Sequence, residues 1–354
     1  MKADEMWEVS TGKGVTVAVI DTGVKVIPEL EGQVLEGKNL TVKPGDAHDD
    51  VDGHGTSMAA VIAATGEHPS GDGSFGLAPG AKILPIRTDT LAGEQADRQT
   101  STAIRYAADS EAKIISMSFG SPTDGPRTRE AVKYALGKGK LLFAAVGNAG
   151  NDATPVQYPA ATPGVVGVAA VGADVKATKE SQTGKHVDLA APGTDIVTAC
   201  TGKTGLCTTH GTSDATALAS ASAALIWSKY PTWTNNQVLR VMLSTAGGPT
   251  SGAKRNDYIG YGAVRPRIAL SQTVDPGPAD VYPLPDLAAA ETKSPSTEAS
   301  GPTGGSDSAE KPAAAAPASQ ADGSRAGILI GLGIGAAVLL GAAIVVPVVR
   351  SRRS

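Results

Sequence analysis

Short apolar runs alternate with helix-like segments along most of the chain. Five runs are apolar on both faces of an extended strand, as in strands buried inside a parallel sheet. These runs are residues 15–20, 82–87, 113–119, 140–147 and 165–172. The segments between them include three helical candidates, residues 55–65, 98–110 and 127–138. This alternation predicts an α/β fold with a doubly wound, mostly parallel sheet flanked by helices.

The pattern changes after residue 273. Residues 274–325 are rich in Pro, Ala, Ser, Gly and Glu, and they are predicted to form a disordered stalk. Residues 326–349 carry no charged side chain and are long enough to cross about 30 Å of hydrocarbon as a helix. A buried core helix is the alternative for this segment, but its uniform apolarity favours a membrane span. The head, residues 1–273, is then a separate domain.

The basic tail sets the expected topology. Residues 350–354 contain RSRR directly after the apolar segment, so the positive-inside rule places the C-terminus in the cytoplasm. A single span then puts the head outside the cell membrane. The start MKADEMWEVSTGKG has no apolar segment of the kind that directs export, so we expect such a segment upstream of it.

The two cysteines bear on the compartment. Cys200 and Cys207 have no His or Cys neighbours at zinc-ligand spacing, so we expect no metal site there. They either close a small disulfide loop, which requires an oxidising environment, or remain two free thiols.

Composition excludes one class of partner. The formal net charge is -4 and the pI is about 5.8, so no basic surface indicates nucleic-acid binding. The 43 glycines and the 19 % charged residues are typical of a compact α/β domain with tight junctions between loops and helices.

Candidate catalytic side chains lie where the predicted strands and helices end or begin. Asp21 ends a strand, and Asn148 follows another. His54 is the His of the first HGTS tetrapeptide and Ser213 the Ser of the second, and each opens a segment of small residues. Taken singly, each has a structural explanation, such as a turn for Asp21 or a helix cap for Ser213. Together they are the parts of an activated serine nucleophile, because functional groups collect at the carboxyl ends of parallel strands.

The motifs around these residues resemble those of the subtilisin-like serine proteases, the S8 peptidases. VAVIDTGV, DGHGTSMAAVIAA, AAVGNAGN and HGTSDATALASASAAL follow the family order Asp, His, Asn, Ser over roughly residues 7–273. The resemblance implies that Asp21 is the triad acid, His54 the base, Asn148 the oxyanion donor and Ser213 the nucleophile. It also implies cleavage of peptide bonds through an acyl-enzyme.

The resemblance extends to substrate binding. SMSFG resembles the strand on which the family lays its substrate, so Ser116, Ser118, Phe119 and Gly120 are candidate substrate-binding residues. FGLAPGAKILPIR, residues 75–87, resembles a second landmark of the family. In the two HGTS copies the roles divide: Ser57 and His210 are expected to take no part in catalysis.

Two departures from the family pattern concern helix entry and calcium. Ala217 stands where the family usually has a proline after the nucleophile, outside the chemistry itself. No cofactor is required for the triad, and no metal site is assigned. Calcium is common in the family, and DAHDDVDG, residues 46–53, is a candidate loop for it, although a solvated loop with a polar cap is the favoured interpretation.

The head, stalk and anchor together resemble the mycosins, membrane-anchored proteases of type VII secretion. This resemblance implies an extracellular serine endopeptidase that processes exported proteins near the membrane, with protein or peptide substrates and the secretion machinery as partners. The alternative is a protease fold that acts as a scaffold in a secretion complex. Esterase or amidase activity would use the same site.

Overall fold

The computed structural model describes residues 1–89, 92–150 and 155–293, with side chains up to residue 290. Within these residues, seven strands form one parallel sheet. In chain order the strands are β1 (Thr16–Asp21), β2 (Lys38–Asn39), β3 (Lys82–Arg87), β4 (Ile114–Met117), β5 (Leu141–Ala145), β6 (Val166–Val171) and β7 (Leu189–Pro192). Their order in the sheet is β2-β3-β1-β4-β5-β6-β7. Every neighbouring pair is parallel, which confirms the predicted mostly parallel sheet.

Helices cover both faces of this sheet. They are α1 (Ala3–Trp7), α2 (His54–Ala63), α3 (Gly93–Asp109), α4 (Pro126–Gly137), α5 (Thr212–Lys229), α6 (Asn235–Thr245), α7 (Pro266–Ser271) and α8 (Asp286–Lys293). Helices α2, α5 and α6 pack in one apolar core, and α3 and α4 pack in another on the opposite face. The predicted doubly wound arrangement is therefore present.

Strand β1 shows why the apolar runs are continuous. Val17 and Val19 belong to the core that contains α2 and α5, whereas Ala18 and Ile20 belong to the core that contains α3 and α4. Successive side chains of a strand point to opposite faces, so a strand with helices on both sides needs apolar residues at every position.

Helix α5 runs through the middle of the first core. It contacts β1 and β4 to β7, and every residue from Asp214 to Trp227 is buried. Its many Ala and Ser side chains allow this close approach to the sheet. Ala217 is fully buried, and the helix is continuous through this position, where the family usually has proline.

A separate two-stranded hairpin packs against α2. Strands β8 (Ile196–Ala199) and β9 (Leu206–Thr209) pair antiparallel, and a disulfide joins Cys200 to Cys207 at the turn of the hairpin. Of the two alternatives for these cysteines, the structure has the disulfide. The hairpin leads directly into α5.

The predicted boundary of the stalk at residue 273 differs from the structure. The compact domain continues past residue 273, and Leu284 is buried in its core. Arg240 donates hydrogen bonds to the backbone carbonyls of Pro276, Pro278 and Val281. Composition alone missed this docking, because a few apolar anchors and one arginine on α6 are enough to hold an otherwise polar segment.

The remaining predicted segments lie outside the described residues. These are the rest of the stalk (294–325), the membrane span (326–349) and the basic tail (350–354). In the described part of the chain, the helices are all too short or too polar to cross a bilayer.

Candidate active site

Asp21 and His54 form the best-defined contact of the site. Asp21 is the last residue of β1 and is 5 % exposed, and His54 is the first residue of α2. His54 Nδ1 lies 2.7 Å from Asp21 Oδ1. The same carboxylate oxygen accepts a hydrogen bond from the backbone N–H of Thr22. This places a carboxylate behind the imidazole, as a Ser-His-Asp triad requires.

Gly55 explains how α2 comes so close to β1. A Cβ at this position would lie 2.1 Å from Gly23 O and 3.0 Å from the Asp21 Cβ. Only glycine permits this approach, so the glycine of the first HGTS copy serves the contact between Asp21 and His54.

Asp50 holds the two elements together and was not among the residues singled out from the sequence. Its Oδ1 accepts hydrogen bonds from Thr22 Oγ1 and the Gly53 N–H, each at 2.8 Å. Its Oδ2 accepts from the N–H and the hydroxyl of Thr56, at 2.8 and 2.6 Å. One carboxylate therefore links the residue after Asp21 to the first turn of α2. The acidic run before HGTS was the available signal, and a polar cap was its favoured interpretation.

The rest of the acidic loop is also engaged internally. Asp49 Oδ2 accepts a hydrogen bond from the Asp46 N–H, and Asp46 Oδ1 accepts from the His48 N–H. Across the described residues, no group of three or more His, Cys, Asp or Glu side chains is placed to hold a metal ion. No metal site was assigned from the sequence, and calcium at residues 46–53 stays an untested alternative to the solvated loop.

The charge state of His54 depends on the carboxylates around it. Burial lowers the pKa of the imidazole, but the charge of Asp21, its hydrogen bond, and the charges of Asp52 and Asp214 outweigh burial and raise this pKa to about 9. His54 is therefore the imidazolium at neutral pH in the resting site, and the neutral base forms as the pH rises.

Ser213 lies in the first turn of α5 and shares a cavity of about 590 Å³ with His54 and Asn148. Its Oγ donates a hydrogen bond to Ser118 O at 3.2 Å, and Ser118 Oγ donates to Ser213 O at the same distance. Both residues are described, and no hydrogen bond joins Ser213 Oγ to His54. Such bonds are often long or absent in free enzymes and form in the substrate complex.

Asn148 is anchored through its amide oxygen. Oδ1 accepts hydrogen bonds from the N–H and the hydroxyl of Thr212, each at 2.8 Å. The nitrogen is therefore the end that faces Gly211, where an added Cβ would lie 2.8 Å from Nδ2. This orientation presents N–H groups beside the start of α5. Thr212 is fully buried and fixes the position of Asn148. It is the Thr of the second HGTS copy, but the sequence pattern alone did not predict this role.

The four residues of the predicted substrate strand divide into two groups. Ser116 is 2 % exposed and lies within β4, where it pairs with Val19 on one side and Phe143 on the other. The prediction that Ser116 binds substrate is therefore wrong, because both edges of its backbone are already paired. Ser118, Phe119 and Gly120 lie beyond the end of β4 and line a second cavity beside His54.

Ser57 and His210, the other halves of the two HGTS copies, make different contacts. Ser57 Oγ donates to Gly53 O within the first turn of α2. His210 is exposed, and its Nδ1 lies 3.0 Å from a carboxylate oxygen of Glu180. Neither residue contacts Asp21, His54 or Ser213 through a hydrogen bond in the described structure.

Comparison with known proteins places the chain in a family. The model of the subtilase family matches residues 12–262. The major intracellular serine protease of Bacillus subtilis (strain 168) is 39 % identical over 208 residues, which are 56 % of this chain and 64 % of that protein. Subtilisin BL of Lederbergia lenta is 32 % identical over 259 residues, 73 % of this chain and 91 % of that protein. The chain thus spans slightly less than two-thirds of the Bacillus subtilis relative.

Solved structures show the same fold. MycP1 from Mycobacterium smegmatis has a TM-score of 0.69 at 27 % identity and covers 79 % of this chain and 85 % of its own. MycP3 protease from the type VII (ESX-3) secretion system has a TM-score of 0.67 at 31 % identity, covering 77 % and 86 %. A chain of the periplasmic assembly from the ESX-5 inner membrane complex has a TM-score of 0.68 at 28 % identity, covering 79 % and 84 %. On the family match over most of the head and the site geometry described above, the chain belongs to the subtilase family, the S8 peptidases.

Proposed function

We propose that this protein is a serine endopeptidase that uses Asp21, His54 and Ser213 as its catalytic triad. The observation that carries the proposal is the 2.7 Å contact between buried Asp21 and His54, beside the cavity that His54 shares with Ser213. Side chains from two separate helices and a strand end meet there, in the family order of motifs.

The mechanism begins with a change of partner for the nucleophile. Ser213 Oγ leaves Ser118 O and donates to neutral His54, which takes its proton as the oxygen attacks the scissile carbonyl carbon. Asp21 holds the tautomer of His54 and stabilises the imidazolium that forms. The imidazolium then gives its proton to the leaving amine as the peptide bond breaks. Water, deprotonated by His54, hydrolyses the acyl-enzyme.

Asn148 and the backbone N–H of Ser213 are the proposed donors to the oxyanion. The hydrogen bonds from Thr212 fix the Asn148 amide before substrate arrives, so little reorganisation is needed. Loss of one such donor lowers turnover by about 10²–10³-fold. The substrate backbone lies along Ser118–Gly120, and no cofactor enters any step.

Covalent labelling by a fluorophosphonate tests the assignment of the nucleophile. We expect the wild type to label and Ser213→Ala to remain unlabelled. We expect His54→Ala to label far more slowly, because kcat falls by about 10⁶-fold when such a triad loses its base or nucleophile. Ser57→Ala and His210→Ala are matched controls from the same two tetrapeptides and should keep most of the labelling rate. Undiminished labelling of Ser213→Ala, or a His210→Ala defect as large as that of His54→Ala, would contradict the assignment.

For the cellular role, we propose limited processing of exported proteins by a membrane-anchored enzyme. The similarity to MycP1 and to MycP3, which is from a type VII secretion system, supports this role, together with the apolar sequence 326–349 and the basic tail after it. The head would then lie outside the cell membrane, with the C-terminus in the cytoplasm. Added protease should digest the head in intact cells. A head that is protected until the cells are lysed would contradict this topology.

A scaffold role is the second candidate, favoured by the similarity to a chain within the ESX-5 periplasmic assembly. The same labelling experiment separates the two. A well-folded wild type that fails to label across pH 7–10 would support the scaffold.

A further inference from the structure

A second cavity of about 240 Å³ adjoins the catalytic pair. We refer to it as the acidic cleft. The residues that line it and carry the argument are Asp21, His54, Asp52, Asp89, Phe119 and Gly120. The cleft is therefore lined both by the catalytic pair and by the segment along which the proposed function lays the substrate.

The lining of the acidic cleft carries more negative than positive charge. Three carboxylates line it, and all of its lining residues are described, with no lysine or arginine among them. Asp21 is paired with His54. Asp52 is exposed, and its carboxylate forms no hydrogen bond or ion pair within the described part of the chain. Asp21 and His54 offset each other's charge, so the two further carboxylates give the cleft a net negative charge that attracts a positive side chain.

Asp89 is the more deeply placed of the two other carboxylates. Its side chain is 15 % exposed, and Lys43 Nζ lies 2.9 Å from its Oδ1. The Lys43 side chain is 65 % exposed, so this cation reaches Asp89 from outside the cleft. The Asp89 N–H donates to Gln99 Oε1 at 3.0 Å, which fixes the backbone of this wall. An exposed lysine holds such a pair weakly, so a cation from the cleft side can share the carboxylate.

We propose that the acidic cleft selects substrates with a lysine or arginine side chain close to the cleaved bond, on its N-terminal side. This inference rests on the proposed function, because the substrate backbone must lie along Ser118–Gly120 for a side chain to enter the cleft. Asp52 and Asp89 are then specificity-determining residues. The cation of the substrate lies between them, and its aliphatic stem packs against Phe119.

Matched peptides test the selection directly. The variable residue is placed one, two or three positions before the residue that supplies the cleaved carbonyl. At each of these positions, the peptides carry lysine, norleucine or glutamate. At one of these positions we expect kcat/KM to be about tenfold higher for lysine than for norleucine, and lower still for glutamate. A tenfold preference corresponds to about 1.4 kcal/mol. The preference should shrink as salt is raised, since partly exposed charges are screened.

The lysine-to-norleucine ratio is measured for each variant at one pH. Any effect of a variant on the ionisation of His54 cancels in this ratio, because it acts on both peptides alike. We expect Asp52→Asn and Asp89→Asn to reduce the ratio severalfold each. Glu111→Gln removes the same charge from an exposed residue just before β4. This residue lies at the N-terminal end of the strand, away from the cleft beyond its C-terminal end, so the ratio should stay unchanged.

Binding of the same peptides to Ser213→Ala separates this inference from the proposed function. If the wild type neither labels nor cleaves, the endopeptidase proposal fails, and the ratio of the two dissociation constants still reports on the cleft. Tighter binding of the lysine peptide, lost in the double variant with Asp52→Asn, supports the inference. Equal cleavage and equal binding of lysine and norleucine peptides at every position would overturn it.

Discussion

At the scale of single residues, His54 stands among three carboxylates, and its ionisation carries the response of the site to pH. Asp21 is hydrogen-bonded to it, whereas Asp52 and Asp214 act through their charges. Asp214 is 1 % exposed, directly follows Ser213, the proposed nucleophile, and accepts a hydrogen bond from Thr209 Oγ1 at 2.6 Å. Burial raises the pKa of Asp214, and the Thr209 bond opposes this shift. An acidic residue beside the serine therefore favours the charged form of the base.

The first prediction concerns alkaline activity. In the proposed mechanism the neutral imidazole is the base, and the pKa of His54 is about 9, so kcat/KM should rise with pH through an apparent pKa near that value. Asp214→Asn removes a charge that raises this pKa and keeps an acceptor for Thr209. Its profile should therefore move toward neutral pH.

The measurement is kcat/KM against pH with one peptide substrate. Glu111→Gln serves as the control and should give the wild-type profile. A wild-type profile that is already flat between pH 7 and 9 would contradict the raised pKa of His54.

At the scale of secondary-structure elements, the site depends on how β1 and α2 are joined. Gly55 allows them to approach, and Asp50 connects Thr22 to the first turn of α2 through four hydrogen bonds. The catalytic pair is therefore held by a residue that touches neither member of it through a hydrogen bond. Asp50 is a positioning residue.

Replacement of Asp50 tests this arrangement. Asp50→Ala leaves four donors without their acceptor, and hydrogen bonds to a charged group contribute about 1.5–3 kcal/mol each, without full additivity. We expect the free energy of unfolding to fall by about 2–4 kcal/mol and the rate of fluorophosphonate labelling to fall with it. Asp50→Asn keeps one acceptor oxygen and should recover part of both losses.

Chemical denaturation and labelling are measured on the same samples. A purely structural role would leave the labelling rate of the folded fraction unchanged. If Asp50→Ala is destabilised but labels at the wild-type rate when folded, Asp50 does not position His54.

At the scale of the whole domain, the segment after residue 273 packs beside the N-terminal ends of β6 and β7. Asp286 Oδ2 accepts a hydrogen bond from the Gly164 N–H at 2.6 Å, and Asp188 Oδ2 accepts from the Gly167 N–H at 2.9 Å. Burial raises the pKa of Asp188 to about 8, and the nearby charge of Asp286 adds to the increase, while the bond from Gly167 opposes it. Burial also raises the pKa of Asp286. Asp188 is therefore mostly protonated at neutral pH, beside a second buried carboxyl group, that of Asp286.

This pair predicts a loss of stability as pH rises. The pKa of Asp188 is higher in the folded state than the 3.8 of a free carboxyl, so its contribution to stability is complete below pH 4 and is lost as the pH rises to about 8. Asp188→Asn removes the titration and retains an acceptor for Gly167. At pH 8 we expect it to be more stable than the wild type by about 2–4 kcal/mol, with no gain near pH 4.

The control is Asp174→Asn, which removes an exposed carboxylate that pairs with Lys176. Its effect should stay within about 0.5 kcal/mol at every pH, as for other exposed pairs. The prediction would be wrong if Asp188→Asn were less stable than the wild type at pH 8, since the charged carboxylate would then stabilise the fold.

Local sequence patterns predicted the strands of the sheet interior, the helices between them and the four motifs of the site. These features are readable because they are local: a strand covered on both faces must be apolar throughout, and Asp21, Asn148 and Ser213 each lie at a junction of such elements. Short elements such as β2, β7 and α8 were missed, because a few residues give too short a pattern of apolar and polar positions to distinguish a strand or helix from a loop.

The three-dimensional fold sets which side chains meet. It paired Ser116 on both edges, gave Asp50 its four donors, turned the Asn148 amide through Thr212, and brought Asp52 and Asp89 into one cleft. It also docked residues 274–293 against the domain through Arg240 and Leu284. Contacts between residues far apart in the chain depend on packing and charge in three dimensions, and no local pattern of apolar and polar positions encodes them.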